Sequence, residues 1–403
     1  MAVYLDNAAT TPLRSEALEA MLPFLRGDFA NPSSPHAAGQ RARRALDDAR
    51  ARTASALNAR PDEIIFTAGG SEADCLAIFG LCATSRGSQA RFITGAIEHH
   101  AVLHAADVLR GRGHGVTLLQ VDADGFVDAS ELEHVLAQGR KHGSAAESAP
   151  ALVSVMHANN EIGTIERIER LAEIAHRHGA LFHTDAVQTV GHIPVDVKAL
   201  GVDALSLSAH KFEGPKGVGA LYVRNGLKPA PIVVGGDQEG GRRAGTENVA
   251  GIVGLSVALE LAVRDVRAQA ASTSELRDQL IDGALQIPRA ALNGPRRERL
   301  PNNANLRFDD IEGATAVLAL DVTGFAVSTG SACTSGSLEP SHVLSALGLP
   351  ARAARSAVRF SLGRDTTKAD VERLLSSLPG IVEKLRGLAG TLVPGGGLSR
   401  TRE

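Results

Sequence analysis

Ala151-Leu152-Val153-Ser154-Val155-Met156 is a continuous apolar run, and its reading decides the fold. A strand with one wet face alternates apolar and polar residues; a strand covered on both faces does not. The run therefore reads as an interior strand of a parallel sheet. Downstream, the pattern predicts a helix near Ile168–His178, a strand at Leu181–Thr184, and further strands at Ala204–Ser208 and Val218–Val223. Upstream it predicts strands at Ile64–Thr67, Arg91–Thr94 and Val116–Val121. Helices are expected from Ser71 to about Thr84, from Glu98 to about Arg110, and over Ala129–Ala137. Such alternation predicts an α/β sheet with helices on both faces and ligands at the carboxyl ends of its strands. From Thr246 a long helical stretch runs to about Gln286, and shorter mixed elements follow Gly294-Pro295. A boundary to a smaller domain is expected near residue 260. Gln138–Pro150 reads as a surface loop and Pro394–Glu403 as a disordered tail.

Composition narrows the function classes. The 403 residues carry a formal net charge of -3, which offers no basic field for nucleic acid. No segment reaches the roughly 18 uninterrupted apolar residues of a membrane helix. The start of the sequence shows no secretory pattern. The three cysteines, Cys75, Cys82 and Cys333, are too few and too odd in number for a disulfide framework, and they fit a reducing cytosol.

Two segments carry the chemistry. Ser208-Ala209-His210-Lys211-Phe212-Glu213-Gly214-Pro215-Lys216-Gly217 offers an amine for a Schiff base, among small and hydrogen-bonding residues. Ser328-Thr329-Gly330-Ser331-Ala332-Cys333-Thr334-Ser335 offers a thiol in a small, polar context, where buried structural cysteines are seldom found. An amine that holds an aldehyde and a thiol that can accept sulfur together suggest removal of sulfur from a free amino acid.

Other residues fall at strand ends. Ala68-Gly69-Gly70-Ser71-Glu72 joins a strand to a helix and could capture phosphate, or Ser71 and Glu72 could simply cap the helix. Asp185 follows a strand and could hold a pyridinium nitrogen, with Gln188 on a phenolic oxygen; a helix-capping aspartate is the alternative. His99 could stack on a ring and shuttle protons. His100 and His104 sit four apart and could bind metal, but no further ligand completes a site, so surface histidines are expected and no metal. Asn160 follows another strand end. Arg359, in an apolar strand-like run, suits a substrate carboxylate or an internal ion pair. Cys75 and Cys82 lie seven apart on one helix face and read as small core residues.

These pieces resemble the pyridoxal-phosphate-dependent cysteine desulfurases of the NifS/IscS type, within the class V aminotransferase group. The resemblance runs from Tyr4-Leu5-Asp6-Asn7-Ala8-Ala9-Thr10-Thr11 to Arg359-Phe360-Ser361-Leu362-Gly363-Arg364. It includes Asn31-Pro32-Ser33-Ser34-Pro35-His36, Met156-His157-Ala158-Asn159-Asn160-Glu161-Ile162-Gly163 and Arg243-Ala244-Gly245-Thr246. It implies a fold-type I transferase: a large domain over 15–260 with a mostly parallel seven-stranded sheet, and a smaller α+β domain from 1–14 and 261–403. It implies Lys211 as the Schiff-base lysine, Cys333 as the persulfide-forming residue and His99 as the ring-stacking acid/base. Gly70, Ser71, Ser208 and His210 would surround the cofactor phosphate. Thr246 would reach the phosphate of a neighbouring subunit, which implies a homodimer. Asp185 and Gln188 would hold the ring, and Asn160 and Arg359 would face the carboxylate of L-cysteine.

Ser71 stands where the family often has Thr, and Cys75 where it often has Asn. The Ser-rich segment around Cys333 resembles the NifS/IscS subgroup rather than the SufS subgroup. An iron–sulfur scaffold or a tRNA-thiolation enzyme would accept the sulfur, in the cytoplasm. A selenocysteine lyase or another class V aminotransferase is the nearest rival, and a non-catalytic scaffold a more distant one. A transaminase would need no thiol at Cys333, and a scaffold would need no Lys211.

Overall fold

The computed structural model describes residues 2–83, 90–138, 151–330 and 339–391. In chain order the strands are β1 (Val3–Tyr4), β2 (Ile64–Thr67), β3 (Arg91–Gly95), β4 (Gly115–Leu119), β5 (Ala151–Ser154), β6 (Leu181–Asp185), β7 (Ala204–Ser208), β8 (Gly219–Val223), β9 (Ala290–Leu292), β10 (Asn303–Phe308), β11 (Phe325–Ala326) and β12 (Ala357–Ser361). Seven of them form the main sheet, in the order β2-β8-β7-β6-β5-β3-β4. Only β8 runs antiparallel to its neighbours β2 and β7; the pairings from β7 to β4 are parallel. The α/β expectation with a mostly parallel seven-stranded sheet holds.

The apolar runs are explained by burial on both faces. Ile93, Val153, Phe182 and Leu205 point into one core, closed by helices that include Ala37–Ala56 and Ile168–Arg177. Phe92, Leu152, Ala204 and Leu221 point the other way, under the helices Gly70–Ala83 and His100–Gly111. Each strand thus alternates between two dry environments rather than between core and water.

A separate cluster gathers Val3 and Leu5 with Leu306, Phe308, Val358 and Phe360 around the antiparallel sheet β12-β10-β9. The 36-residue helix Val249–Ala284 serves both regions. Its Leu255 and Leu259 pack on the main-sheet core, and its Leu280 and Ile281 on the smaller cluster. Residue 260 falls inside this helix. The helix starts at Val249 rather than Thr246, because the Asn248 side chain caps it by accepting from Gly251 N at 3.0 Å. Likewise β4 stops at Leu119, and Val121 instead bridges Val127.

Candidate active site

The lysine is placed by a strand end. β7 stops at Ser208, and a single 3-10 turn, Ala209–Lys211, follows. Lys211 Nζ donates to Ala8 O at 2.5 Å and to Ala9 O at 2.8 Å. It thereby faces the cavity at the carboxyl ends of β5, β6 and β7. That cavity, of about 290 Å³, is bordered by Lys211, Asp185, Gln188, His99, Asn160 and Arg359. Six residues from five separate segments of the sequence, each expected to be functional, therefore meet.

Asp185 ends β6 and is 5% exposed. Burial pushes its carboxyl up to about 6, against the lowering pull of the Val187 N–H and of the Lys211 charge. Val187 N donates to Asp185 Oδ1 at 2.8 Å, as at a helix-like turn. Gln188 Nε2 donates to Ala8 O at 3.0 Å. His99 caps the helix His100–Gly111, its Nδ1 accepting from Ala101 N at 3.1 Å. Burial, helped by the Lys211 charge, lowers the His99 imidazole to about 4, so it is neutral at pH 7.

An open hollow beside the cavity is bordered by Thr10, Gly69, Gly70, Ser71, Ser208, His210 and Lys216. It lies at the N-terminus of the helix Gly70–Ala83, where free N–H groups favour an anion. Glycine is required at position 70: a Cβ there would meet Val187 Cγ2 at 2.7 Å. His210 shares a 3.1 Å hydrogen bond with Thr10 Oγ1, and burial lowers its imidazole to about 4. Glu72 has the capping role: it accepts from Ala68 N at 2.9 Å and pairs with Arg243 at 2.8 Å.

Arg359 forms the internal ion pair that was one of its two alternatives. Its Nη2 pairs with Asp6 at 2.8 Å, and its Nη1 donates to Asn160 O and Gly330 O at 3.0 and 2.9 Å. Among the described residues its buried Nε has no hydrogen-bond partner, and the side chain borders the cavity. Thr246 lies away from the cavity; it is exposed and borders a separate hollow with Arg243 and Asn248. Cys333, together with 331–338, lies outside the described residues, as do 139–150 and the tail. Cys82 is a core residue as expected, and burial raises its thiol to about 12; Cys75 is only half-buried.

The sequence reading missed Asp74, Glu98, Glu161 and His342. Asp74, Glu161 and His342 border the cavity. Glu98 is fully buried beside His99 and accepts from Met156 N at 2.8 Å. A lone aspartate in the otherwise apolar run Ala73–Ala83 was a visible signal for Asp74. His100 also departs from expectation. It borders the cavity and packs edge-on against His342, with ring centroids 4.7 Å apart, instead of lying free on the surface. Among the described residues no cluster of three or more metal-ligating side chains forms.

An amine, a buried carboxylate at a strand end, a neutral imidazole and an anion hollow at a helix N-terminus are the donor set of a fold-type I pyridoxal-phosphate enzyme. The class V aminotransferase family pattern matches residues 3–374, and the chain belongs to that family. Among its relatives, the cysteine desulfurase IscS of Dictyoglomus turgidum is 51% identical over 96% of this chain and 96% of its own. The IscS of Methanosarcina thermophila is 50% identical over 96% of this chain and 94% of its own. A solved NifS-like protein superposes with a TM-score of 0.85 at 36% identity, covering 97% of this chain and 100% of its own.

Proposed function

We infer that this chain is a pyridoxal-phosphate-dependent cysteine desulfurase in which Lys211, Asp185, His99, Arg359 and Cys333 carry the reaction. The convergence of Lys211, Asp185, His99 and Arg359 on one cavity is the observation that supports the residue roles most strongly. A 35% identical protein, SspA, has been solved in complex with cysteine (TM-score 0.77, 91% of this chain and 100% of its own).

Lys211 Nζ would hold the cofactor aldehyde, and Gly70, Ser71, Ser208 and His210 its phosphate. Asp185 would face the ring nitrogen and Gln188 the phenolic oxygen. Bound there, pyridoxal phosphate supplies an electron sink for charge developing at the α-carbon of cysteine. Arg359 and Asn160 orient the substrate carboxylate. Lys211, once released, takes the α proton at Nζ. His99, neutral at pH 7, serves as acid/base at the substrate sulfur. The Cys333 thiolate attacks that sulfur: the new S–S bond forms as the C–S bond breaks and the β-carbon keeps the electron pair; a proton taken up there, and the return of one from Lys211 Nζ to the α-carbon, give alanine.

The persulfide would pass to an iron–sulfur scaffold or tRNA-thiolation enzyme in the cytoplasm. A homodimer would bring Thr246 to the phosphate of the neighbouring subunit. The large domain would span 15–260 and the small one 1–14 with 261–403.

The test is sulfide and alanine release from L-cysteine with a thiol reductant, on purified holoenzyme and Cys333→Ala. Equal amounts of the two products, lost in the variant, are expected. Unchanged turnover in Cys333→Ala would overturn the persulfide route.

A further inference from the structure

Beside the cavity lies a polar network that the reaction above does not use. Asp74, on the helix Gly70–Ala83, is 1% exposed yet borders the cavity. Among the described residues its Oδ1 has no hydrogen-bond partner, and it stands 3.8 Å from His183 Nε2. His183 is fully buried on β6 and is committed at both ring nitrogens, to Ser154 Oγ at 2.8 Å and to Ser206 Oγ at 2.9 Å. Burial lowers its imidazole to about 3, so it stays neutral and gives Asp74 no cationic partner.

His183 and Asp185 are two residues apart on one strand and so point to the same face. Asp185 is near enough for its charge to act on Asp74. Burial first, and then that charge, raise the Asp74 carboxyl well above its usual range, against the lowering effect of the Ser206 hydroxyl. Lys211 pulls Asp185 the other way, toward ionisation. Burial shifts Glu98 and Cys75 toward their neutral forms as well. Two carboxylates in one dry region do not both ionise, and the one facing a cation keeps the charge.

We propose that Asp74 stands as the neutral acid and acts as a positioning residue: with Ser206 and His183 it forms an uncharged polar support beside Asp185, so that Asp185 carries the negative charge presented to the cofactor ring. This rests on the assignment of Asp185 to the ring nitrogen. An ionised group at position 74 would repel Asp185. An apolar one would remove the bond between the acid and the Ser206 hydroxyl.

The experiment uses the holoenzyme. At pH 8 the infrared difference between the wild type and Asp74→Asn is expected to show the carbonyl band of one protonated carboxylic acid, with the Glu98 contribution cancelling. The pH midpoint of the cofactor's visible absorption is expected to be unchanged in Asp74→Asn. In Asp74→Ala it should shift by about half a unit or more, with cofactor affinity down about tenfold. A difference spectrum without that band overturns the proposal. So does a midpoint shift of a unit or more in Asp74→Asn, or an Asp74→Ala variant that titrates like the wild type. If Asp74→Ala does not fold, the band and the Asp74→Asn titration decide. Asp185→Asn serves as the control: a wild-type titration there removes the Asp185 assignment itself, whatever Asp74 does.

Discussion

Arg359 illustrates how one side chain can be both structural and poised for a ligand. Its Nη groups are held by Asp6, Asn160 O and Gly330 O, while Nε is left for a further acceptor. Arg359→Lys loses the planar fork, so KM for cysteine should rise roughly 10- to 100-fold, the effect of losing a charge-assisted hydrogen bond. Steady-state kinetics would show it, and an unchanged KM would remove Arg359 from the carboxylate site. For His99 the sign of the pH effect is fixed by burial. Its imidazole sits at about 4 when folded, below its ordinary 6.5. The unfolded chain therefore takes up this proton first, and the His99 contribution to stability falls as pH drops from about 6.5 toward 4. In labelled holoenzyme, NMR should find His99 neutral across pH 5.5–7.5; a midpoint near 6.5 would contradict this. Lys211, Asp185 and His99 were legible because each sits in a short motif at a strand end. The Asp6–Arg359 pair was not, since nothing local joins residues 353 positions apart.

At the scale of elements, the buried strands were the easiest to read. β2 and β7 match their apolar runs residue for residue. The two-residue β1 and β11 and the three-residue β9 are too short to leave a pattern, and tertiary pairing alone defines them. The long helix Val249–Ala284 was legible as a helix, but not as a brace shared by two cores. Ala268 lies on its exposed side, mid-way between them. Ala268→Pro should cost about 3 kcal/mol or more by removing a helix hydrogen bond and kinking the brace. Denaturant melting would measure that loss. Activity should fall further than stability explains, because the kink would move Arg359 relative to Lys211.

For the whole molecule, the proposed dimer makes a test by mixing. If Thr246 completes the neighbour's phosphate site, Lys211→Ala and Thr246→Ala place both defects in the same site of a hybrid. The other site is then intact. Co-refolded mixtures at limiting cofactor should regain activity that neither parent shows, up to about a quarter of the wild-type value when the chains pair at random. No recovery in a hybrid shown to be dimeric would remove Thr246 from the shared site.

The segment Asp6–Thr11 has one more consequence. Ala8 and Ala9 carbonyls receive Lys211, Ala8 also receives Gln188, Thr10 meets His210, and Asp6 meets Arg359. Asp6 also bridges Ser361, at the end of β12. On the ribosome Ala8, Ala9 and Thr10 must wait for about 200 later residues, and Asp6 for about 350, before their partners exist. The catalytic pocket is therefore completed only near the end of synthesis. A nascent chain stalled before residue 357 could build the main sheet but not a finished site, which gives cofactor capture a natural place as the last step of maturation.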